Sequence, residues 1–297
     1  MQFGDLEVHL VNDGRVHVDV GGAFGLVPRE LYRPVFDPDE QNAVPMTLNC
    51  LLIRSRGQTI LVDTGLGDRL TPQESRRWRL ERPGGGLLAE LQRLGVAPED
   101  VDIVVNTHLH ADHCSGNTRV QVGNLAPVFP RATYLVQRLE WADAVNPDAR
   151  TRGTYFGENY MPLLETGQLE LLHGEIELTD QVRLVITPGH TRGHQSVVLE
   201  SGAWHGLYLG DMASYAVHFE RAGWVTAYDV LPLETVATKE RWQAWAAERD
   251  AWLFFEHDPG MPVGRLAQDA GRWKILPAGE PPRSGSPTQQ PTHGSTG

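Results

Sequence analysis

The most informative motif of the sequence is Thr107-His108-Leu109-His110-Ala111-Asp112-His113, which directly follows an apolar segment at residues 101–105. Imidazole nitrogens suit Zn²⁺ and similar transition ions, and a carboxylate completes the charge balance of such a site. In an extended backbone His108 and His110 project to the same side, so they can hold one ion together. The last two residues of the stretch come after a turn and can serve a second ion beside it. Burying these side chains without partners would be unfavourable, so the cluster predicts a metal site.

Composition and charge narrow the classes of protein that fit. The chain has 297 residues, of which 40% are hydrophobic, and this is enough for one large core. Its formal net charge of -12 repels the phosphate backbone of nucleic acid, so no nucleic-acid partner is expected. No stretch approaches the ~18 consecutive apolar residues of a membrane helix, so no membrane partner is expected either.

The cysteines and the first residues bear on the compartment. The two cysteines are Cys50 and Cys114, and Cys50 lies in an apolar segment typical of a buried strand, so a disulfide scaffold is not expected. Residues 1–10 carry Asp5 and Glu7 and lack the basic start and apolar run of a secretory signal. Together these features predict a cytoplasmic protein.

Short apolar segments between turn signals predict strands along the whole chain. Turns are expected at residues 12–14 (Asn-Asp-Gly) and 56–57 (Arg-Gly), and helices at residues 86–94 and 235–249. Strands in each half with helices between them predict an α/β fold in which two mixed sheets pack face to face with helices outside. The predicted strands are residues 6–11, 17–20, 47–54, 59–62, 101–105, 132–136, 169–172, 182–186, 196–199, 206–209 and 252–255.

A single domain over residues 1–276 is the expected organisation. Residues 277–297 are rich in Pro, Gly, Ser, Thr and Gln, so they cannot offset the entropy of ordering and are expected to be a disordered tail.

Long connections within the domain are candidate walls of a pocket. They lie at residues 21–45, 71–85, 145–162 and 212–231, and they are too long for simple turns. Apolar and aromatic side chains in or beside them could line a cleft for substrate, although covering the faces of the sheets is an equally open role for each. These candidates are Phe24, Met46, Tyr155, Phe156, His218, Phe219 and Trp224.

Further motifs follow the first in order, each after a predicted strand or at its end. They are Asp63-Thr64-Gly65, Thr187-Pro188-Gly189-His190, Tyr208-Leu209-Gly210-Asp211 and Phe255-Glu256-His257. With residues 108–113 as its His-x-His-x-Asp-His signature, the sequence over residues 6–260 resembles the metallo-β-lactamase superfamily. The resemblance implies an αββα sandwich of two mixed β-sheets flanked by helices, with a dinuclear metal centre.

The resemblance also implies roles for individual residues. Asp63 is expected to orient the ligand loop without binding metal, with a plain turn residue as the alternative, and His194 resembles a second, non-ligating histidine of the family. A hydroxide shared by the two ions is the expected nucleophile, and Asp112 the expected proton carrier. The two divalent ions are expected to be Zn²⁺, although Mn²⁺, Co²⁺ and Fe²⁺ can share these ligands. One ion is expected on His108, His110 and His190 and the other on Asp112, His113 and His257, with Asp211 bridging them.

Within the superfamily, a bridging Asp with a final His resembles the N-acyl homoserine lactone lactonases, the quorum-quenching branch. That resemblance implies a hydrolase that opens acyl homoserine lactones or related lactone rings. Such lactonases often use a tyrosine shortly after the bridging Asp to bind the substrate carbonyl, and Tyr215 is the candidate catalytic residue here. Tyr215 follows Asp211 by four positions rather than three, and Ser214 holds the nearer position, so packing is an equally open role for Tyr215.

Other activities stay open from the sequence alone. A phosphotriesterase or arylesterase could use the same nucleophile on another electrophile, and a non-catalytic or iron-dependent redox member of the fold is a third hypothesis. Glyoxalase II and ribonuclease Z fit less well, because the chain lacks a C-terminal basic cluster and a basic surface. The expected partner is a small-molecule ester or lactone, and a homodimer is compatible with the sequence.

Overall fold

The computed structural model of the chain describes residues 1–279. Residues 280–297, which make up most of the predicted tail at 277–297, lie outside the described residues. The strands are β1 (Gln2–Phe3), β2 (Leu6–Asp19), β3 (Ala43–Ser55), β4 (Gln58–Val62), β5 (Ile103–Val105), β6 (Thr118–Gln121), β7 (Asn124–Pro127), β8 (Thr133–Gln137), β9 (Leu169–Leu172), β10 (Ile176–Thr179), β11 (Val182–Ile186), β12 (Gln195–Ser201), β13 (Trp204–Tyr208), β14 (Trp252–Phe254), β15 (Val263–Asp269) and β16 (Arg272–Pro277). The helices are α1 (Val20–Phe24), α2 (Arg29–Tyr32), α3 (Pro72–Trp78), α4 (Leu87–Arg93), α5 (Ala111–Cys114), α6 (Arg138–Ala144), α7 (Met161–Glu165), α8 (Ala216–Glu220) and α9 (Pro232–Arg249).

Within residues 1–279 the strands form two seven-stranded sheets and a two-stranded ribbon. The first sheet has the order β1-β2-β3-β4-β5-β8-β9 and the second the order β10-β11-β12-β13-β14-β15-β16. In the first sheet β4, β5, β8 and β9 are parallel neighbours, and in the second β13 and β14 are parallel. Both sheets are therefore mixed, as predicted.

Three buried layers hold the sandwich together. Between the sheets, Leu51 and Val62 of the first pack with Phe254 of the second. On the outer faces, Leu91 of α4 packs on the first sheet, and Trp242 of α9 packs on the second. Helices thus cover both outer faces, and the predicted αββα sandwich is confirmed.

The predicted turn at residues 12–14 is wrong. Strand β2 continues through it, with an irregular register between Asn12 and Arg15. The Asp13 carboxylate is buried and accepts hydrogen bonds from the backbone nitrogens of Leu66, at 2.9 Å, and Leu87, at 3.1 Å. Asn-Asp-Gly favours a turn locally, but these distant donors hold the aspartate inside the strand.

The predicted turn at residues 56–57 is confirmed between β3 and β4. Arg56 and Gly57 have φ angles of 51° and 79° there, as a tight hairpin turn requires. The predicted strand at residues 17–20 is wrong at its end, because Val20 begins α1. No helix in residues 1–279 combines the length and the apolar character needed to cross a bilayer.

Candidate metal centre

The candidate ligands come from loops at one edge of the sandwich. Loops after the parallel neighbours β4 and β5 leave the same edge of the first sheet, and those after β13 and β14 leave one edge of the second. A backbone hydrogen bond of 2.9 Å from the Gln195 nitrogen to the Thr107 oxygen joins loops of the two sheets. The structure thereby brings together Asp63 after β4, His108 to His113 after β5, His190 after β11, Asp211 after β13 and His257 after β14.

The backbone of the ligand motif passes from an extended segment into one helical turn. His110 is extended, with φ -67° and ψ 154°, and α5 begins at the next residue. The extended segment lets His108 and His110 point to one side, and the helical turn that follows redirects Asp112 and His113. One short motif can therefore serve two neighbouring positions.

His108, His110 and His190 form the first group of potential ligands. One ligand atom from each lies within 4.8 Å of the others, and His190 Nε2 is 3.1 Å from His110 Nδ1. The buried His108 Nε2 has no hydrogen-bond partner among residues 1–279. Since a buried polar atom without a partner is unfavourable, this nitrogen fits a metal ligand.

Asp112, His113 and His257 form the second group. Their ligand atoms also lie within 4.8 Å of one another, and His257 Nε2 is 3.2 Å from His113 Nε2. Asp112 Oδ2 is 3.8 Å from His113 Nε2 and 3.9 Å from His257 Nε2. The Asp112 side chain keeps 17% of its surface exposed, whereas the two imidazoles are buried. Asp112 is therefore the member of this group that solvent reaches.

The Asp211 carboxylate lies between the two groups. Its Oδ2 is 3.1 Å from His190 Nε2, and its Oδ1 is 3.1 Å from His257 Nε2. Ser214 Oγ donates a hydrogen bond of 2.9 Å to Oδ1 and holds the carboxylate in this orientation. Oδ2 also lies 3.5 Å from His113 Nε2 of the second group. The carboxylate is therefore close to histidines of both groups, as a bridging ligand requires.

Burial and the neighbouring charges set the protonation of the site. Burial, together with the neighbouring His113 and His110, lowers the pKa of His108 well below its usual value. Burial would raise the pKa of Asp211, but His257 and His190 hold that pKa well below its usual value. Burial would lower the pKa of His257, but the Asp211 carboxylate raises it to about 9, so a cation that binds His257 would displace its proton. Imidazole nitrogens around an ionised carboxylate are the donor set that Zn²⁺ and related ions prefer.

Asp63 lies behind the ligand loop. Its carboxylate accepts hydrogen bonds from the Thr107 backbone nitrogen at 2.8 Å and the Thr107 hydroxyl at 2.7 Å. Its Oδ2 also lies 3.2 Å from Nδ1 of His113. Asp63 adopts a positive φ of 57°, which aspartate tolerates better than most residues. These contacts fix the start of the motif and the orientation of the His113 ring.

His194 holds the loop that carries Asp211. Its Nε2 accepts a hydrogen bond of 3.0 Å from the Asp211 backbone nitrogen, so the proton lies on Nδ1, which faces Thr187 Oγ1 at 2.8 Å. Burial lowers the pKa of His194 to about 3, which keeps the ring neutral. Gly210 passes close to this ring with φ 54°, and a Cβ there would lie 2.9 Å from His194 Nε2.

Sequence reasoning missed buried carboxylates that support the ligand loops, among them Glu140 and Asp229. Glu140 on α6 accepts hydrogen bonds of 2.9 Å from the Leu109 backbone nitrogen and the Tyr155 hydroxyl, and one of 2.5 Å from Thr191 Oγ1. Asp229 Oδ1 lies 2.9 Å from His190 Nδ1. No motif surrounds either residue, so only their positions in the fold show that they hold the segments next to the ligands.

Tyr215 and the candidate pocket residues differ in burial and in the side chains that they contact. The buried Tyr215 hydroxyl donates to the Pro45 oxygen at 3.2 Å, and the ring stacks on Phe24 with centroids 5.9 Å apart. His218 packs on both rings, and neither of its buried nitrogens has a partner within residues 1–279. The Tyr155 ring lies 5.0 Å from that of His110. Of the other candidates, Met46, Phe219 and Trp224 are buried and Phe156 is exposed.

A family model described as the metallo-beta-lactamase superfamily matches residues 44–257. The chain belongs to this superfamily. The match includes the predicted ligands from His108 to His257, and it confirms the family that the motifs indicated. The chain is a metal-dependent hydrolase of this superfamily, and the groups described above are its potential metal ligands.

Relatives in this superfamily include enzymes named as lactonases. The N-acyl homoserine lactonase AttM of Azorhizobium caulinodans is 29% identical over 190 residues, which are 61% of this chain and 67% of that protein. The N-acyl homoserine lactonase AiiA of Bacillus thuringiensis subsp. kurstaki is 27% identical over 220 residues, which are 70% of this chain and 80% of that protein. The predicted resemblance to this branch is confirmed.

Solved structures of this superfamily share the fold along almost the whole chain. A probable metal-dependent hydrolase from Staphylococcus aureus superposes with a TM-score of 0.83 at 27% identity, covering 93% of this chain and 98% of that one. AidC, a dizinc quorum-quenching lactonase solved with a product, gives a TM-score of 0.76 at 21% identity, covering 93% and 96%.

Asp229→Asn is expected to weaken metal binding by about 10- to 100-fold, because the carboxylate no longer orients the His190 ring through Nδ1. Competition with a chromogenic chelator measures the effect. Asp143→Asn is the matched control, since Asp143 pairs with the half-exposed Arg192 on the surface and touches no potential ligand. Equal chelator competition curves for the two variants would contradict the role given to Asp229.

Proposed function

We propose that the chain is a dinuclear metal-dependent lactonase, which opens the ester bond of acyl homoserine lactones or related lactone rings. The position of the Asp211 carboxylate carries the proposal, because it lies 3.1 Å from a histidine of each group. A single-ion site would not need this arrangement. The lactonases among the relatives support an ester as the bond that is cleaved.

The positions of the donor atoms support the ligand assignment that the motifs implied. His108, His110 and His190 would hold one ion, and Asp112, His113 and His257 the other, with Asp211 shared. When bound, two divalent ions supply Lewis acidity and lower the pKa of water; Zn²⁺ is our first choice of metal. Asp112 is the proposed proton carrier, because its carboxylate belongs to the site and remains partly open to solvent.

An aromatic wall beside the site supports a substrate with an apolar part. Phe24 is in contact with Tyr215, His218 and Trp224, at ring separations between 5.2 and 6.0 Å. A further aromatic ring, that of Tyr155, lies 5.0 Å from the ring of His110. We propose that the acyl part of the substrate is held between this wall and the Tyr155 ring.

Residence in the cytoplasm and a homodimer stay predictions.

The decisive assay follows acid release from acyl homoserine lactones by metal-loaded protein. We expect turnover well above that of His110→Ala, which removes a ligand of the first group. Turnover equal to that of the variant would overturn the proposal. Chromogenic organophosphates and aryl esters are tested in parallel, and a higher kcat/KM on either would show that lactone opening is a side activity.

A further inference from the structure

The loop at residues 225–231 is attached to α1 and to the segment that carries His190. The Ala227 nitrogen donates to the Gly22 oxygen at 2.9 Å, on the side of α1. The Val230 nitrogen donates to the oxygen of the potential ligand His190 at 3.0 Å. This loop therefore has a defined position against the metal centre.

A side chain from another connection strengthens this attachment. The Arg150 guanidinium donates to the backbone oxygens of Ala227, at 2.6 Å, and Asp229, at 2.7 Å. The Asp229 side chain in turn meets His190 Nδ1. The residues on both sides of Tyr228 are thus held, which limits the directions in which the tyrosine itself can point.

The Tyr228 hydroxyl is an uncommitted hydrogen-bond donor. It has no hydrogen-bond partner within residues 1–279, and 44% of the residue is exposed. The phenol lies directly over Gly22, where a Cβ would collide with the hydroxyl and stand 2.7 Å from Cζ. Glycine at position 22 leaves room for the phenol in this orientation.

Contacts of the neighbouring residues place Tyr228 beside the metal centre. Asp229, the next residue, has Oδ1 2.9 Å from Nδ1 of the potential ligand His190, and the Val230 nitrogen donates to the His190 oxygen. Burial raises the pKa of Tyr228, and the charges of Asp112, Asp19 and Asp211 raise it further. The hydroxyl therefore keeps its proton and can donate it in a hydrogen bond.

The two hydroxyls that follow Asp211 in sequence are already engaged. Ser214 Oγ donates to Asp211 Oδ1, and the buried Tyr215 hydroxyl donates to the Pro45 oxygen. Either would have to give up its present acceptor before it could bind a substrate. Tyr228 has no such acceptor to lose.

We propose that the Tyr228 hydroxyl contacts the substrate and donates a hydrogen bond to the carbonyl oxygen of the ester, on which negative charge develops during attack. This rests on the proposed function. A donor already aimed at that oxygen stabilises the charge without reorganising. Tyr228 keeps its proton throughout. The oxygen of water bonds to the acyl carbon, the ring C–O bond breaks, and the departing alkoxide takes up the proton that water lost.

The first test compares tyrosine-to-phenylalanine variants of the metal-loaded protein. Removing one such donor lowers kcat by about 100-fold, so we expect Tyr228→Phe to show this loss with KM changed by less than about threefold. Metal content and melting temperature should match the wild type. Tyr160→Phe is the control, because the Tyr160 hydroxyl donates to the Ala144 oxygen, away from the potential ligands; its kcat should stay near that of the wild type.

A binding measurement supplies a readout that does not depend on turnover. A cyclic phosphonate with the charge and shape of the attacked lactone is titrated calorimetrically into each variant. We expect about tenfold weaker binding to Tyr228→Phe, because one hydrogen bond to a charged oxygen is lost. Binding equal to that of the wild type would overturn the inference.

Gly22→Ala tests the geometry while keeping the tyrosine. The added Cβ would displace the phenol, so kcat should fall even though Tyr228 is present. In the Tyr228→Phe background, the same change should have a much smaller effect, because the hydroxyl that it displaces is already absent. If the double variant's loss in kcat equals the product of the losses in the two single variants, the proposed contact is contradicted.

The outcomes separate this inference from the proposed function. If the wild type opens no lactone, the proposed function fails. If the wild type is active and Tyr228→Phe matches it in kcat and in phosphonate binding, only the role of Tyr228 fails. Loss of activity in Tyr215→Phe alone would likewise overturn the inference and support the tyrosine predicted from the sequence.

Discussion

Asp211→Asn is expected to lower kcat/KM for a lactone by about 1,000-fold or more. The carboxylate has one oxygen at 3.1 Å from a histidine of each group, and an amide offers one neutral oxygen in its place. Loss of metal-based charge stabilisation costs several kcal/mol, and each 1.36 kcal/mol is about tenfold in rate. Steady-state kinetics together with the metal content per chain measure both consequences.

The control for Asp211→Asn is the same change at an exposed aspartate. Asp148 accepts hydrogen bonds from Arg150 and Thr151 within its own loop and touches no potential ligand. Asp148→Asn should keep most of the wild-type activity and all of the metal. If Asp211→Asn keeps its metal and stays within tenfold of the wild type, Asp211 does not bridge two ions.

Asp13→Ala is expected to lower the free energy of unfolding by about 3–5 kcal/mol. It leaves the backbone nitrogens of Leu66 and Leu87 without their acceptor and removes the carboxylate that meets Arg82 Nη2 at 2.9 Å. Unpaired buried donors and a partly buried cation without its partner each cost free energy. Urea unfolding monitored by circular dichroism measures the loss.

Asp68, a second partner of Arg82, provides the matched control for this stability prediction. Arg82 Nη1 pairs with Asp68 at 3.0 Å, but the Asp68 side chain is 66% exposed, so solvent screens this pair. Asp68→Ala should therefore cost less than about 1 kcal/mol. Similar losses in the Asp13 and Asp68 variants would show that burial of Asp13 contributes little.

The ligand set can be predicted from the sequence because ligand-type residues stand in short motifs directly after predicted strands. Each ligand follows an apolar strand, so the fold carries it to the end of that strand and to one edge of the sandwich. The hairpin at residues 56–57 and the helix at residues 86–94 are also local patterns, and the structure contains both, the helix as α4 over Leu87–Arg93. Local signals of this kind need no knowledge of the rest of the chain.

The supporting residues could not be found this way, because their partners are distant in sequence. Asp13 lies in a local turn pattern, and only its contacts with Leu66 and Leu87 reveal a buried residue. Tyr228 stands in a connection with no motif, and its place over Gly22 depends on how this loop meets α1. Such residues become visible only when the packing is known.

The metal content of the purified protein shows whether the chain holds a pair of ions. The protein is stripped with chelator, offered Zn²⁺, Mn²⁺, Co²⁺ or Fe²⁺, desalted, and measured by elemental mass spectrometry against protein concentration. We expect about two ions per chain for the wild type, and fewer for Asp211→Asn. Uptake of no more than a trace of any of these metals by correctly folded protein would contradict this expectation.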